Sequence, residues 1–199
     1  MTIRIGIVAF EDAEELDFVG PWEVFTMGSQ VEPNVHEVLL VAEKDAPVRC
    51  AKGLRVLPDV TFANCPPLDV LLIPGGIGTR REVENPVMLE WIAKVAPTCR
   101  FVTSVCTGAM LLTAAGPAKA KRVTTHWAFV EALRARKEAA EVVDNMRYVR
   151  DGNVVTAAGV SAGIDMALWL SGELHTPQFA RNVQRAMEYD PAPPYTASV

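Results

Sequence analysis

The feature of this 199-residue sequence that most constrains its fold is the alternation of short apolar runs with segments of helical spacing. The run at residues 70–74, which Gly75-Gly76 follows, is typical of a strand buried on both faces. Such strands occur in parallel sheets that helices cover on both sides, and their carboxyl ends hold the ligands. The predicted strands of this kind are residues 3–10, 36–42, 70–74 and 101–105.

Helices are predicted between these strands. Asn85-Pro86 marks a helix start, because asparagine caps a helix and proline fits its first position. Ser161 is predicted to cap a later helix in the same way. The predicted helices cover residues 17–28, 85–95, 107–115, about 129–133, 161–174 and 177–187, and the predicted hairpins cover 48–58 and 148–157.

Charge and composition exclude several classes of protein. The net charge is −5 and no run of Lys and Arg is present, so a nucleic-acid surface is not expected. The amino terminus lacks a signal-peptide pattern, and the most apolar stretch, residues 154–172, contains Asp165 and does not suit a membrane span. We therefore expect a cytoplasmic protein with no membrane contact, whose four cysteines are free thiols.

Cys106 lies where a predicted strand turns into a predicted helix. The sequence Val105-Cys106-Thr107-Gly108 has the layout of a nucleophile elbow, which presents a reactive side chain at the edge of a sheet. At this position the helix dipole is expected to lower the thiol pKa and enrich the thiolate. The amides of Thr107 and Gly108 are expected to be free to bind an anion. The alternative is an inert buried cysteine.

The loop Pro74-Gly75-Gly76-Ile77-Gly78 follows the predicted strand 70–74. Glycines there let the backbone approach a ligand, so the loop is either an oxyanion hole facing Cys106 or an ordinary turn from strand to helix. It lacks the Gly-Lys-Ser/Thr ending of a phosphate-binding loop.

Asp17 and the three histidines are the other candidate functional residues. Burial of Asp17 between apolar neighbours would raise its pKa and suit it to acid–base chemistry, although composition alone favours a helix N-cap. His126 either lies near the same sheet edge or is structural. His36 and His175 have no predicted partner cluster, and no spacing resembles a metal site.

Four motifs in this order resemble the DJ-1/PfpI superfamily, and most of all its isocyanide hydratase branch. They are residues 16–21 (Leu-Asp-Phe-Val-Gly-Pro), 74–78, 105–108 and 124–127 (Thr-Thr-His-Trp). Residues 64–70, 161–165 and 188–194 also look like that branch. The resemblance therefore spans nearly the whole chain, which we expect to form one DJ-1/PfpI-like domain over residues 1–199.

The resemblance implies a flavodoxin-like three-layer α/β sandwich with a mainly parallel sheet, similar to class I glutamine amidotransferases, and a homodimer. It implies a nucleophile at Cys106 with Asp17 as its acidic neighbour. Many members carry glutamate at that acidic position. PfpI-type peptidases have histidine directly after the cysteine, whereas this chain has Thr107, which argues against proteolysis.

The chemistry implied by the resemblance is hydration of an isocyanide, a small-molecule substrate, without metal or organic cofactor. Cys106 would form a thioimidate while Asp17 relays a proton, and water activated by Asp17 or near Thr107 would release a formamide. Charge on the intermediate would be stabilised by amides of the glycine loop, and the proposed substrate-binding residues are Gly75, Gly76, Ile77 and His126.

Two other functions stay open at this point. One is a glyoxalase or deglycase that acts on α-oxoaldehydes through a hemithioacetal at Cys106. The other is a redox or ligand sensor, since an accessible reactive thiol is readily oxidised. Similar domains occur in regulators with a helix-turn-helix segment, for which a chain ending at Val199 is expected to leave no room.

Overall fold

A computed structural model describes residues 2–190 of the chain. The strands are β1 (Ile3–Val8), β2 (His36–Ala42), β3 (Val48–Arg49), β4 (Arg55–Val56), β5 (Val60–Thr61), β6 (Val70–Ile73), β7 (Phe101–Val105), β8 (Arg122–Val123), β9 (Glu141–Val142), β10 (Tyr148–Asp151) and β11 (Val154–Ala157). The helices are α1 (Glu15–Val31), α2 (Thr79–Glu82), α3 (Pro86–Val95), α4 (Gly108–Ala115), α5 (Val130–Ala135), α6 (Ala162–Leu174) and α7 (Pro177–Ala186).

The central sheet has seven strands in the order β10-β11-β7-β6-β1-β2-β5. All neighbours are parallel except β10 and β11, which form the predicted hairpin around Gly152. Helices α1, α6 and α7 pack together on one side of the sheet, while α3 and α4 pack together on the other. The predicted flavodoxin-like, mainly parallel α/β sandwich is confirmed.

The strands at the centre of the sheet are mostly apolar because helices cover both of their faces, and β6 is apolar along its whole length. All four residues of β6 are fully buried, and so are Ile5 and Ile7 of β1. Each fully buried side chain of this size contributes about 1.5–3 kcal/mol of transfer free energy, so β1 and β6 anchor the sheet. The loops that follow β1, β6, β7 and β11 consequently leave the sheet from one rigid edge.

The predicted cap of α3 is confirmed, whereas Ser161 occupies the predicted N-cap position of α6 without making a capping hydrogen bond. The Asn85 side chain accepts hydrogen bonds from the amides of Val87 (3.0 Å) and Met88 (3.4 Å). Ser161 does precede α6, but its backbone is already helical (φ −66°, ψ −18°), so its hydroxyl does not face the first amides. Its Oγ instead accepts a hydrogen bond of 3.3 Å from Arg147.

His36 and His175 pair with each other, contrary to the expectation that neither has a partner. Their Nε2 atoms are 2.9 Å apart, and His36 Nδ1 is 2.9 Å from the carbonyl oxygen of Phe25. Because a carbonyl accepts only, His36 donates from Nδ1, and the Nε2 of a neutral His36 ring accepts from His175 Nε2. This contact could not be predicted from the sequence, because 139 residues separate the two histidines.

Some expectations concern features that the structure describes only in part. Within residues 2–190, no helix is long and apolar enough to cross a membrane. No cluster of three or more His, Cys, Asp or Glu side chains in that range is arranged to hold a metal ion. The four cysteines are all free thiols. Residues 191–194 of the last family-like segment lie outside the described residues.

The histidine pair makes stability depend on pH. Burial, as the main cause, lowers the pKa of both rings from 6.5, so the unfolded chain takes up protons at a higher pH than the folded one. The contribution of the histidine pair to stability is therefore lost as the pH falls below about 6.5.

We predict that wild type loses its advantage in unfolding free energy over His36→Asn as the pH falls from about 7.5 to about 5.5. Asparagine keeps an N–H for the Phe25 carbonyl but cannot titrate. Urea unfolding at both pH values measures the difference, and contributions common to both proteins cancel. A difference that does not change with pH would contradict the pairing.

Candidate active site

Cys106 occupies a strained turn between β7 and α4, as the elbow motif predicts. Its φ of +56° is in the left-handed region, which is costly for a residue with a side chain. The Cys106 amide donates to the carbonyls of Ala158 (2.7 Å) and Ala157 (3.1 Å), and the Thr125 hydroxyl donates to its carbonyl (2.8 Å). These bonds from neighbouring segments hold the turn in place.

Two glycines leave the space that the elbow needs. A Cβ at Gly108 would lie 2.2 Å from the carbonyl oxygen of Ile73, so only glycine lets α4 begin this close to the end of β6. A Cβ at Gly75 would lie 2.5 Å from the amide nitrogen of Thr107 and 2.7 Å from Cβ of Cys106. The glycine loop is therefore packed directly against the elbow.

Asp17 is not a helix cap, which corrects the interpretation that composition favours. It is the third residue of α1, and the residue at the N-cap is Glu14, whose side chain makes no capping bond. The Asp17 carboxyl is fully buried and accepts hydrogen bonds from the amides of Gly75 (2.9 Å) and Val160 (3.0 Å). The helix therefore inserts this carboxyl between the loops that follow β6 and β11.

Asp17 and Cys106 influence each other's ionisation. Burial is the main cause that raises the pKa of Asp17 to about 7, and the two amide bonds only partly oppose it. Burial, followed by the charge of Asp17, raises the pKa of Cys106 to about 12. The Thr107 amide and hydroxyl act in the opposite direction. Above about pH 7 the pair therefore carries one negative charge, which resides on the carboxyl.

The expected enrichment of thiolate at the helix start is therefore wrong for the resting protein. The dipole of α4, which has eight residues, and the Thr107 amide favour the thiolate. Loss of water around the thiol of Cys106, a residue that is only 7% exposed, disfavours it, and so does the adjacent carboxylate. The Cys106 thiol consequently stays protonated until another group accepts its proton.

The glycine loop does not offer the predicted set of free amides. The Gly75 amide is used by Asp17, and the Gly76 amide donates to the Thr107 hydroxyl at 3.1 Å. The same hydroxyl accepts a hydrogen bond of 3.0 Å from Thr79. Gly76 has a φ of +120°, which only glycine adopts without strain, and this conformation turns its amide toward the elbow.

A cavity of about 230 Å³ opens over the Cys106 sulfur. It brings together five residues that the sequence nominates, namely Gly76, Ile77, Cys106, Thr107 and His126. Gly75 and Asp17 lie behind the residues that line the cavity. The complete lining is Glu14, Gly76, Ile77, Arg80, Cys106, Thr107, His126, Phe129 and Val160.

His126 lines this cavity, and its ring is held by the backbone amide of Ala128. Its Nδ1 accepts a hydrogen bond of 3.2 Å from the amide of Ala128, so the proton of the neutral ring is on Nε2. A Cβ at position 159 would lie 2.0 Å from His126 Cδ2, so Gly159 makes room for the ring. The histidine therefore contributes to the cavity from the turn that precedes α5.

Glu14, Arg80, Phe129 and Val160 line the cavity but are not nominated by the sequence. Glu14 and Arg80 lie close to the aspartate motif and the glycine loop, so their position along the chain was a usable signal. The sequence gives no such signal for Val160, because a β-branched residue is not expected to adopt its φ of +53°. Its place after β11, next to β7, follows only from strand order.

The fold and the site together define an α/β protein with a cysteine elbow beside a buried carboxyl group. The chain matches the DJ-1/PfpI family over residues 3–172 and belongs to this family.

Known relatives differ in activity. The chain is 43% identical to isonitrile hydratase of Pseudomonas putida over 195 residues, which are 98% of this chain and 82% of that protein. It is 28% identical to the glutathione-independent glyoxalase DJR-1.2 of Caenorhabditis elegans over 170 residues, 84% of this chain and 86% of that protein. A THiJ/PfpI family protein from Pseudomonas syringae superimposes with a TM-score of 0.89 at 33% identity, covering 100% of this chain and 80% of that one.

Removal of the Asp17 charge should make the Cys106 thiol more acidic. We predict that Asp17→Asn lowers the pH at which Cys106 ionises by about one pH unit, because a neighbouring negative charge opposes the thiolate. The thiolate absorbance in the ultraviolet, measured against the same protein carrying Cys106→Ala, follows this titration. An unchanged or higher midpoint in Asp17→Asn would contradict the coupling between the two groups.

Proposed function

We propose that the protein hydrates isocyanides to N-substituted formamides through a covalent intermediate on Cys106. The observation that carries this proposal is the buried Asp17 carboxyl next to the elbow cysteine, with a pKa of about 7. A group with this pKa can both accept and donate a proton near neutral pH, which addition to an isocyanide requires. The 43% identity to an isonitrile hydratase supports the same reaction.

In the first step, the thiol adds across the terminal carbon of the isocyanide. The Asp17 carboxylate accepts the Cys106 proton, sulfur bonds to the isocyanide carbon, and Asp17 passes the proton to that same carbon. The product is a thioimidate, R–N=CH–S–Cys, and Asp17 is a carboxylate again. The Thr107 amide stabilises charge on the sulfur while the proton is in transit.

In the second step, Asp17 accepts a proton from a water molecule as its oxygen bonds to the thioimidate carbon. Asp17 passes this proton to the nitrogen, which gives R–NH–CH(OH)–S–Cys. The carbon–sulfur bond then breaks as the hydroxyl proton moves through Asp17 to the departing sulfur, so that the thiol is restored. The released product is R–NH–CHO. We assign Thr107 a positioning role, since its hydroxyl already binds Gly76 and Thr79, and we assign His126 and Ile77 to the substrate-binding wall.

A glyoxalase reaction is the second candidate, and the similarity to the glyoxalase DJR-1.2 favours it. It would use the same cysteine to form a hemithioacetal with an α-oxoaldehyde. Methylglyoxal assayed beside isocyanides separates the two reactions. Turnover of methylglyoxal alone would replace the hydratase proposal, and turnover of neither would leave the sensor hypothesis, for which thiol oxidation is the readout.

The central test compares two cysteines that are equally buried. Cys106 and Cys99 are each 7% exposed, but only Cys106 lines the cavity. We predict that Cys106→Ala lowers formamide production by at least about a thousandfold, as expected for loss of a nucleophile. Cys99→Ala should retain activity. Formamide release that survives in Cys106→Ala, measured by chromatography, would refute the covalent mechanism.

We propose that the protein is a homodimer, as the family resemblance implies. Helix α1 exposes two large apolar side chains, Leu16 and Val19, at 37% and 38%, beside the buried Asp17. An apolar patch on this helix supports a subunit contact there. Analytical ultracentrifugation should give twice the chain mass of 21.6 kDa, and Leu16→Glu with Val19→Glu should give the monomer mass. A monomeric wild type would contradict the proposal.

A further inference from the structure

We propose that Arg80 is a specificity residue of the Cys106 cavity and binds a carboxylate group of the substrate. This inference rests on the proposed function and narrows it. The substrate would be an isocyanide that also carries a carboxylate, such as isocyanoacetate. Three observations carry the inference: the placement of the guanidinium, its lack of an acidic partner, and the small volume of the cavity.

Arg80 belongs to α2, which begins directly after the glycine loop, and it is held at the cavity by two kinds of contact. Its Nη1 donates to the carbonyl of Gly76 (2.9 Å) and to the Thr79 hydroxyl (3.3 Å). Its Cζ lies 4.3 Å from the centre of the Phe129 ring, which is a cation–π contact. The guanidinium is therefore positioned before any ligand binds.

The charge of Arg80 is not balanced by the protein. Within residues 2–190, no carboxylate oxygen lies within 4.0 Å of its nitrogens, and its Nε and Nη2 donate no hydrogen bond. The neighbouring Arg81, by contrast, pairs with Glu82 (2.9 Å) and Asp12 (3.5 Å). Glu14, the acid that lines the cavity, is already paired with Lys52.

A carboxylate fits the unused groups of this side chain. Two parallel N–H groups of a guanidinium match the two oxygens of a carboxylate, and a planar bidentate pair gives both affinity and orientation. The cavity of about 230 Å³ is smaller than the range of about 300–1,000 Å³ typical of drug-sized ligands. The carboxylate and the reacting carbon must therefore be separated by few atoms, as they are in an α-isocyano acid.

The first experiment compares isocyanoacetate with isocyanoacetamide, which has nearly the same shape but no charge. We expect wild type to prefer the anion, and we expect the ratio of the two kcat/KM values to fall about tenfold in Arg80→Gln, as for loss of a charge-assisted hydrogen bond. Arg80→Lys should give an intermediate ratio, because lysine keeps the positive charge but lacks the two parallel N–H groups of the guanidinium. Arg81→Gln is the matched control, since it removes the same charge one residue away.

The second experiment does not depend on hydration of isocyanides. Iodoacetate and iodoacetamide both alkylate a thiol: sulfur bonds to the methylene carbon, iodide leaves, and the thiol proton is lost to Asp17 or solvent. Peptide mass spectrometry gives the rate at Cys106 separately from the other three cysteines. We expect the ratio of iodoacetate to iodoacetamide rates to fall about tenfold in Arg80→Gln and to stay at the wild-type value in Arg81→Gln.

Each outcome decides one part of the proposal. A ratio unaffected by Arg80→Gln, or lowered equally by Arg81→Gln, would overturn carboxylate binding by Arg80. Because an unfolded fraction hydrates neither substrate, a partly unfolded variant does not change the ratio of the two kcat/KM values. Failure of wild type to hydrate either isocyanide would overturn the proposed function and the isocyanide part of the inference, while the alkylation ratio would still decide whether Arg80 binds carboxylates.

Discussion

The interaction on which the rest of this site depends is the buried carboxyl of Asp17 between two backbone amides. It joins α1 to the loops after β6 and β11, through Gly75 and Val160, and Cys106 lies beside it. A carboxyl in this position is costly to bury, and its two amide bonds do not fully offset that cost. The same imbalance raises its pKa toward neutrality, so the contact that assembles the site also supplies a proton carrier.

The fold makes this arrangement possible by stacking tight turns at one edge of a rigid sheet. Cys106 and Val160 both adopt left-handed backbone conformations, each costing about 1–3 kcal/mol, and the flanking buried strands hold them there. Gly75 and Gly108 remove the side chains that would block the approach of β6 to the elbow. The stability of the core thereby offsets the cost of holding a thiol and a carboxyl next to each other, away from water and beside strained turns.

Much of the fold could be predicted from the sequence, since buried parallel strands have a continuous apolar pattern and helix starts such as Asn85-Pro86 are local signals. The elbow was also readable, because Cys106 directly follows a strand. What could not be predicted depends on distant contacts. The bonds of Asp17, the pairing of His36 with His175 and the raised pKa of Cys106 arise from burial between segments far apart in the chain. The residues around Asp17 in the sequence favour a helix cap, and only its contacts in the folded chain exclude that role.

The central claim is that Cys106 bonds to the carbon of an isocyanide and that Asp17 carries the proton. Rapid acid quench during turnover, followed by peptide mass spectrometry, tests the first half directly, and Asp17→Asn tests the second. We expect an adduct equal in mass to the isocyanide on the Cys106 peptide of wild type, and much slower adduct formation in Asp17→Asn. Formamide production without any adduct on that peptide, or an adduct on another cysteine, would contradict this claim.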